Sequence, residues 1–304
     1  MYVTDDELEA FHKNGYHIAR GLFSREEAEQ LRDYFTELRL SDNYPGDVIG
    51  VGATEDDPAR NYPVMHHPHR WDDAARSYML DERVRQCLTR LIGAEPLACQ
   101  SMVYFKPPQS RGQALHQDNY YLRVSPGTCM AAWMALDPTD IENGCLHIVP
   151  GTHELDLLCT IEADTSKSIT NVTVPMPDNM IAEPMIMEPG DVLFFNGQVV
   201  HGSPPNVTGD RFRRAITCHY VHGAAEKVTK YDQPVLRFDG SVVKIGESST
   251  GGQCGVWVSE EDQLYLEMKE EPRNATYEAQ IRQRQEEMVI AAEAIRQARE
   301  TAQS

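Results

Sequence analysis

A histidine and an aspartate lie two residues apart in the segment Leu115-His116-Gln117-Asp118-Asn119. Side chains alternate between the two faces of a β-strand, so both residues would point to one side and could bind one metal ion. A lone His-x-Asp triplet is weak evidence, because a chain with 11 histidines produces such triplets by chance. Whether His116 and Asp118 bind a metal therefore has to be decided from the rest of the sequence.

A second histidine and a group of arginines follow later in the chain. His201 stands before Gly202 and Ser203, and the segment Arg211-Phe-Arg213-Arg214-Ala215 leads into the next predicted strand. Two histidines and one carboxylate that bind one face of an iron(II) ion leave open positions, as in non-haem Fe(II) oxygenases. The planar guanidinium of an arginine pairs well with a carboxylate such as the distal end of 2-oxoglutarate. The order and spacing of these residues indicate an oxidising iron site.

The chain resembles the phytanoyl-CoA dioxygenase family of Fe(II)/2-oxoglutarate-dependent oxygenases over roughly residues 5 to 225. The matching segments are Met102-Val-Tyr-Phe-Lys-Pro-Pro108, His116-Gln-Asp118, Ala132-Trp133, Asn143-Gly-Cys-Leu146, Val149-Pro-Gly-Thr-His153, Pro189-Gly-Asp191, His201-Gly-Ser203 and Arg213-Arg-Ala215. The resemblance implies Fe(2+), with 2-oxoglutarate and O2 as co-substrates. The catalytic iron ligands that it implies are His116, Asp118 and His201. The residues that it implies around 2-oxoglutarate are Met102, Gln117, Trp133, Ser203 and Arg213.

The arginine position departs from the pattern of the family. The family usually places its carboxylate-binding arginine eleven residues after the distal histidine, and here that position is Phe212. Alignment of the Arg-Arg-Ala segment favours Arg213 after an insertion of one residue. Arg211 and Arg214 remain as alternatives.

The resemblance implies a dioxygenase that hydroxylates an unactivated C–H bond of a small-molecule metabolite, with succinate and CO2 as co-products. One alternative is a non-enzymatic ligand-binding protein with a jelly-roll fold. Another is an oxidase of the same fold that causes desaturation or cyclisation. An iron halogenase would lack the carboxylate ligand, which argues against that class because Asp118 is present. Candidate substrate contacts are Asn119, Tyr121, Arg123, the loop 66–70 and the insertion 152–184, whereas Lys106, beside two prolines, is predicted to be exposed and structural.

Composition and charge exclude several kinds of partner. The 304 residues carry a formal net charge of −19 and contain no run of Lys or Arg, so nucleic acid and membrane surfaces are poor partners. The same charge argues against a phosphate-rich acyl-CoA substrate and favours another small molecule. Neither a signal peptide nor a membrane-spanning segment is recognisable, so we expect a cytoplasmic protein. Seven dispersed cysteines without a C-x-x-C pair predict reduced, mostly buried thiols.

The elements that must position the site residues are predicted to be mainly β-strands with flanking helices. Between about 96 and 225, short apolar segments alternate with Pro-Gly and Asn-Gly turns, which predicts a double-stranded β-helix of the jelly-roll, cupin-like kind. A second strand-like segment is expected over 114–124. Thr4 and Ser24 begin capping-box patterns, which predict two helices in the N-terminal flank. The insertion 152–184 is expected to form loops near the site.

We predict a single oxygenase domain over residues 1–257, with a helical flank 1–95, a jelly-roll core about 96–225, and a loop-rich part 226–257. A C-terminal helical extension is predicted over 258–304, since residues 274–302 are rich in Glu, Gln, Arg and Ala and contain no Gly or Pro. Ile281, Met288 and Ile295 recur every seven residues, but Arg284 interrupts this seam. The helix is therefore expected either to pack on its own domain or to form a homodimer contact.

Overall fold

The computed structural model of the chain describes residues 2–41, 47–260 and 263–303. The α-helices are α1 Asp5–Asn14, α2 Arg25–Leu40, α3 Asp73–Met79, α4 Glu82–Ile92, α5 Asn119–Leu122 and α6 Ala275–Gln303. The strands are β1 Tyr16–Ala19, β2 Asp47–Val48, β3 Val64–His66, β4 Pro96–Tyr104, β5 Gln113–His116, β6 Cys129–Ala135, β7 His147–Ile148, β8 Ile161–Glu162, β9 Val172–Thr173, β10 Glu183–Pro184, β11 Val192–Asn196, β12 His201–Ser203, β13 Ala215–His222, β14 Lys227–Val228, β15 Val235–Leu236, β16 Val242–Val243, β17 Gly246–Glu247, β18 Gly252–Glu260 and β19 Gln263–Glu271.

Two sheets form the centre of the fold. The large sheet has the strand order β1-β11-β6-β13-β4-β15-β16, and β3 joins it beside β4 with β2 outside β3. The small sheet has the order β10-β7-β12-β5. Trp133, Leu193 and Phe195 of the large sheet pack with Ile148 of the small sheet in one apolar cluster. The fold is thus mainly β with flanking helices, as predicted.

The N-terminal helices begin where the sequence predicts. The side chains of Thr4 and Ser24 each accept a hydrogen bond from a backbone N–H three residues on, and Glu7 and Glu27 complete the two capping boxes. The apolar sides of these helices pack with residues of the large sheet in the main core. This core lies on the side of the large sheet away from the small one, and it leaves the space between the sheets for the candidate site.

The C-terminal part of the chain differs from the predicted helical extension. Residues 258–260 belong to β18 and residues 263–271 form β19, which pairs with it in antiparallel fashion, and helix α6 begins only at Ala275. The segment around Trp257 alternates β-branched and aromatic residues, which favours a strand. Helix α6 packs on its own domain, because Ala292 is buried in the main core and the amide of Gln285 donates to the carbonyl oxygen of Gln233 at 3.1 Å. The homodimer contact stays a prediction, and the side chain of Ile281 lies outside the described residues.

The structure contains both a disulfide and free cysteines. Cys159 and Cys254 form a disulfide, so the prediction of free thiols is wrong for this pair. The two come together because the insertion pairs with β18: the N–H of Cys159 donates to the oxygen of Gly255 at 2.9 Å, and the N–H of Gly255 donates to the oxygen of Leu157 at 2.7 Å. The free, buried cysteines are Cys87, Cys99, Cys129, Cys145 and Cys218. Separately, no helix of the described ranges has both the length and the hydropathy required to cross a bilayer.

Candidate active site

Three residues from two strands and one turn form a buried metal-binding group. His116 ends β5 and His201 begins β12, and the two are paired directly across the small sheet with ring centroids 4.2 Å apart. The Oδ1 atom of Asp118 lies 3.4 Å from Nε2 of His116 and 3.6 Å from Nε2 of His201. The ligand atoms of all three lie within 4.8 Å of one another. The fold therefore brings together the three residues that the sequence marks as metal ligands.

Asp118 faces the two histidines for a reason other than the predicted strand alternation. Strand β5 ends at His116, and Asp118 has right-handed helical backbone angles at the start of α5, so the strand predicted over 114–124 is wrong beyond His116. The turn forms because the N–H of Leu122 donates to the oxygen of Asp118 at 3.1 Å, and the N–H of Asn119 donates to the oxygen of Gly197 at 2.9 Å. A tight turn, and not strand alternation, places the carboxylate beside the imidazoles.

Hydrogen bonds orient both imidazoles for metal binding. Nδ1 of His116 lies 2.8 Å from the carbonyl oxygen of Ala114, and Nδ1 of His201 lies 3.0 Å from that of Val199. A carbonyl oxygen only accepts, so each Nδ1 carries the proton and each Nε2 keeps an unprotonated lone pair; Nε2 of His116 lies 3.1 Å from Nε2 of Gln113. Burial, opposed by the charge of Asp118, lowers the pKa of His201 to about 4. His201 is therefore neutral near pH 7, the form in which imidazole binds metals.

The carboxylate of Asp118 is held in its ionised form. Burial by itself raises the pKa of Asp118, but the electrostatic attraction of the neighbouring imidazoles of His201, His219 and His116 outweighs burial and keeps this pKa well below its usual range. Nε2 of His219 lies 2.9 Å from Oδ2 of Asp118. The sequence reasoning missed His219. Its signal was strand alternation, since residues 215, 217 and 219 of β13 point to the same face of the large sheet.

A buried arginine without a carboxylate partner lies near the metal-binding group. Arg213 is 3% exposed, and its guanidinium stands 5.3 Å above the ring of Trp133. Its Nε has no hydrogen-bond partner among the described residues. Burial lowers the pKa of Arg213 to about 10, so the group stays cationic at neutral pH. A buried cation of this kind is suited to a carboxylate ligand.

The two alternative arginines are already paired. Arg211 is on the surface and contacts Asp140 and Glu142. Arg214 donates from Nε to Oδ2 of Asp137 at 2.7 Å and from Nη2 to Oδ1 at 2.9 Å. Since their charges are compensated within the protein, neither is as well suited as Arg213 to a ligand carboxylate.

A row of side chains on the inner face of the large sheet continues the site. Thr217 of β13 is paired with Met102 of β4 on one side and with Trp133 of β6 on the other. All three are buried, and the hydroxyl of Thr217 has no partner among the described residues. The predicted residues Met102 and Trp133 thus flank Thr217 on the sheet face that the small sheet covers, and Trp133 also lies under Arg213.

Lys106 is buried, which corrects the prediction that it is exposed. Its ammonium group donates to the hydroxyl of Ser203 at 2.9 Å and to the carbonyl oxygen of Gly144 at 3.0 Å, and it also contacts the oxygen of Pro204. The backbone at Lys106 has a positive φ of 36°, which turns the side chain inward before the two prolines. Burial and the neighbouring charge of Arg213 hold the pKa of Lys106 well below its usual range.

Gln117, between the two metal-binding residues, is bonded to the insertion. Its Oε1 accepts from the N–H of Leu158 at 2.7 Å, and its Nε2 donates to the oxygens of Gln198 at 2.9 Å and Asp156 at 3.3 Å. These bonds connect the turn of Asp118 to the insertion. A contact of Gln117 with 2-oxoglutarate stays a prediction.

Two of the predicted substrate residues present unpartnered polar atoms near the site. The ring of Tyr121 lies 5.9 Å from that of His116, and its buried hydroxyl has no partner among the described residues. His66 of β3 is paired with Met102, and its buried Nδ1 likewise has no partner there. In contrast, Asn119 accepts from the N–H of Val124 at 2.9 Å, and Arg123 donates to the oxygen of Gly251 at 3.0 Å.

The other two histidines of the loop 66–70 are buried in the protein. Nδ1 of His69 lies 2.6 Å from the hydroxyl of Ser101, and the ring of His67 contacts that of Tyr231 with centroids 4.6 Å apart. Both ring nitrogens of His67 also lack a hydrogen-bond partner among the described residues, but only His66 of this loop is paired across the sheet with Met102.

The chain is similar to known proteins in both sequence and structure. The model of the phytanoyl-CoA dioxygenase family matches residues 11–215. A phytanoyl-CoA dioxygenase domain-containing protein from Bos taurus is 30% identical over 255 residues, which are 73% of this chain and 84% of that protein. The structure of the carbocyclase SnoK from nogalamycin biosynthesis is 22% identical, with a TM-score of 0.58, over 74% of this chain and 86% of that one. The epimerase SnoN in complex with Fe3+, alpha ketoglutarate and nogalamycin RO is 19% identical, with a TM-score of 0.59, over 86% and 97% of the two chains.

The matched range contains the metal-binding group and Arg213. The structural neighbours support the fold, and the family match and the Bos taurus relative support membership of the family. The chain belongs to the phytanoyl-CoA dioxygenase family and is an oxidoreductase of the dioxygenase class.

Proposed function

We propose that this protein is an Fe(II)- and 2-oxoglutarate-dependent dioxygenase that oxidises a C–H bond of a small-molecule metabolite. The observation that carries the proposal is a buried His-Asp-His group together with a buried arginine whose Nε has no hydrogen-bond partner in the described part of the chain. We infer that the two sheets form the double-stranded β-helix that the sequence predicts.

The proposed iron ligands are His116, Asp118 and His201. The donor set suits Fe(II), because two neutral imidazoles and one carboxylate leave open positions for other ligands. The orientation of each Nε2 by a backbone hydrogen bond at Nδ1 supports this assignment.

The proposed 2-oxoglutarate site is formed by Arg213 with Met102, Trp133 and Ser203. Arg213 would pair with the distal carboxylate, since its cation is buried and has no carboxylate partner among the described residues. Trp133 would keep the guanidinium in place through its ring face. Lys106 would hold the hydroxyl of Ser203 in position.

With iron, 2-oxoglutarate and O2 bound, the cofactor chemistry supplies the oxidising power, and succinate and CO2 are the expected co-products. The task of the chain is to exclude water and to aim one C–H bond at the metal. The burial of all three ligands supports exclusion of water. The outcome that we propose is hydroxylation; a desaturation or ring closure would need the same site and a different orientation of the substrate.

We propose that Tyr121 and His66 contact the substrate. Their buried, unpartnered polar atoms favour a substrate with hydroxyl, carbonyl or carboxylate groups. The formal net charge of −19 is unfavourable for a phosphate-rich acyl-CoA, so another metabolite is preferred.

The test is an anaerobic titration of the metal-free protein with Fe(II) and then with 2-oxoglutarate, followed by visible absorption. A weak metal-to-ligand charge-transfer band should appear only when both are present. His201→Ala should abolish the band. His147→Ala is the matched control, because His147 lies on the neighbouring strand opposite Gly202 and so on the other face from His201. A folded wild-type protein without a band would contradict the proposal and favour a ligand-binding role.

A further inference from the structure

We propose that His219 is a positioning residue for the metal site: its Nε2–H holds one oxygen of Asp118, so that only the other oxygen is presented to the metal. The inference rests on the proposed function, because it assigns a role at the same metal centre. None of the motifs that mark the site in the sequence includes this residue.

The two oxygens of Asp118 have different surroundings. Oδ1 faces the ligand atoms of His116 and His201 at 3.4 and 3.6 Å. Oδ2 faces away from them and lies 2.9 Å from Nε2 of His219. An ionised carboxylate only accepts hydrogen bonds, so Nε2 of His219 must carry the proton. One oxygen is thus free for the metal, and the other is occupied by a donor.

The position of His219 is set by an irregularity in the large sheet. The register of β13 against β4 shifts between His219 and Tyr220, so that Cys99 is left without a partner on β13. The thiol of Cys99 donates to the carbonyl oxygen of His219 at 3.2 Å. Such bulges redirect side chains next to active sites. Here the bulge stands at the residue that contacts the metal-binding carboxylate.

The hydrogen bond to Asp118 is the polar contact that fixes the imidazole of His219. Its Nδ1 is buried and has no partner among the described residues. His219 itself is 3% exposed, so water does not compete freely for Nε2. A buried histidine whose bonded nitrogen is aimed at a metal ligand is expected to orient that ligand and to limit it to one oxygen.

Two amide variants separate the hydrogen bond from the bulk of the ring. In His219→Gln the amide nitrogen can reach the position of Nε2 and donate to Asp118, whereas in His219→Asn it reaches only the position of Nδ1. The probe is Co²⁺, titrated into the metal-free protein without oxygen. We expect His219→Asn to weaken Co²⁺ binding about 10- to 100-fold, with His219→Gln less affected than that.

The visible spectrum of bound Co²⁺ gives a second readout. When Oδ2 loses its donor, it is free to turn to the metal, so the coordination of Co²⁺ and its absorption should change in His219→Asn and not in His219→Gln. His17→Asn is the control, because His17 is a buried histidine on β1 of the same sheet and has no contact with Asp118. Thermal unfolding of the metal-free variants checks that each is folded.

The outcomes are distinguishable from a failure of the proposed function. If the wild type binds no Co²⁺, the metal site itself is wrong. If the wild type binds Co²⁺ and both amide variants bind equally well with the same spectrum, His219 does not position Asp118. Equal losses in both variants would also overturn the inference, because they would assign the effect to the ring and not to its hydrogen bond.

Discussion

The buried guanidinium of Arg213 leads to a prediction about the co-substrate. Arg213→Ala should weaken 2-oxoglutarate binding at least about 30-fold, since loss of one partner of a buried charge pair costs about 2–5 kcal/mol. Binding of Fe(II) alone should change little, because Arg213 is not in the metal-binding group. Titration of 2-oxoglutarate at saturating Fe(II), followed by the charge-transfer band, measures the effect.

The neighbouring arginines are the controls for this experiment. Arg211→Ala should be nearly neutral, because exposed ion pairs contribute at most about 1 kcal/mol. Arg214→Ala should lower the stability of the fold by leaving Asp137 without its partner, and it should not selectively weaken 2-oxoglutarate binding. A larger loss of 2-oxoglutarate affinity in either control than in Arg213→Ala would move the assignment to that residue.

At the residue scale, the identity of the metal-binding residues could be predicted from the sequence. The side chains that contact them could not. His116, Asp118 and His201 can be found from spacing, because few chemistries use two histidines and a carboxylate in this order. The reason given for Asp118 was wrong, since a turn stabilised by the oxygen of Gly197 depends on a distant segment. Lys106 and His219 were missed because their partners are about one hundred residues away in the chain.

At the scale of elements, helix α6 offers a test of how it packs. Ala292→Glu should destabilise the protein by about 3–5 kcal/mol, because it places an unpaired charge in the main core. Ile290→Glu is the matched change on the exposed side of the same helix, where Ile290 is 69% exposed, and should have little effect on stability. Urea unfolding of both variants gives the comparison. The opposite ranking would mean that α6 does not pack on its own domain.

The disulfide between Cys159 and Cys254 predicts a difference in local stability. Cys254→Ala should make the insertion 152–184 more accessible to protease, because it removes the covalent link to strand β18. The control is Cys145→Ala, which changes a buried free thiol in the same protein. Limited proteolysis with identification of the cut sites measures the effect. Equal cleavage of the insertion in both variants would show that backbone pairing alone holds it.

Elements with a local signal were predicted better than elements that depend on distant pairing. The capping boxes at Thr4 and Ser24 fix the starts of two helices within four residues, and both helices form there. The pair of strands β18 and β19 was missed although the segment around Trp257 favours a strand, because a two-stranded unit depends for its stability on contacts with the rest of the chain. The disulfide was missed for the same reason, since its cysteines are 95 residues apart.

At the scale of the whole molecule, several buried histidines lie in and around the candidate site. The three metal-binding and positioning imidazoles lie between the sheets, and further buried rings lie beneath β3 and the segment that follows it. A buried neutral imidazole is a stability cost whenever the solution is acidic enough to protonate it in the unfolded chain. Burial of these histidines, which keeps water from the metal site, therefore lowers the free energy of unfolding in acid.

The loss of folding stability in acid can be measured at His66. Burial, with the positive charges of Arg284 and His219, lowers the pKa of His66 from 6.5 to about 4. Between these values the unfolded chain binds the proton and the folded chain does not, so stability is full above pH 6.5 and is lost as pH falls towards 4. The loss from His66 alone at pH 5 should be on the order of 2 kcal/mol. Burial lowers the pKa of His67 and His69 as well, and both act in the same direction.

The check is urea unfolding of the metal-free protein at pH 7 and at pH 5, for the wild type and for His66→Phe. The wild type should lose more stability than the variant between the two pH values, because the variant has no group at position 66 to protonate. His12→Gln, at an exposed histidine, should reproduce the wild-type dependence on pH. If His66→Phe and the wild type lose the same amount of stability, the ring of His66 is open to solvent in the folded protein. The proposed contact of His66 with the substrate would then be abandoned.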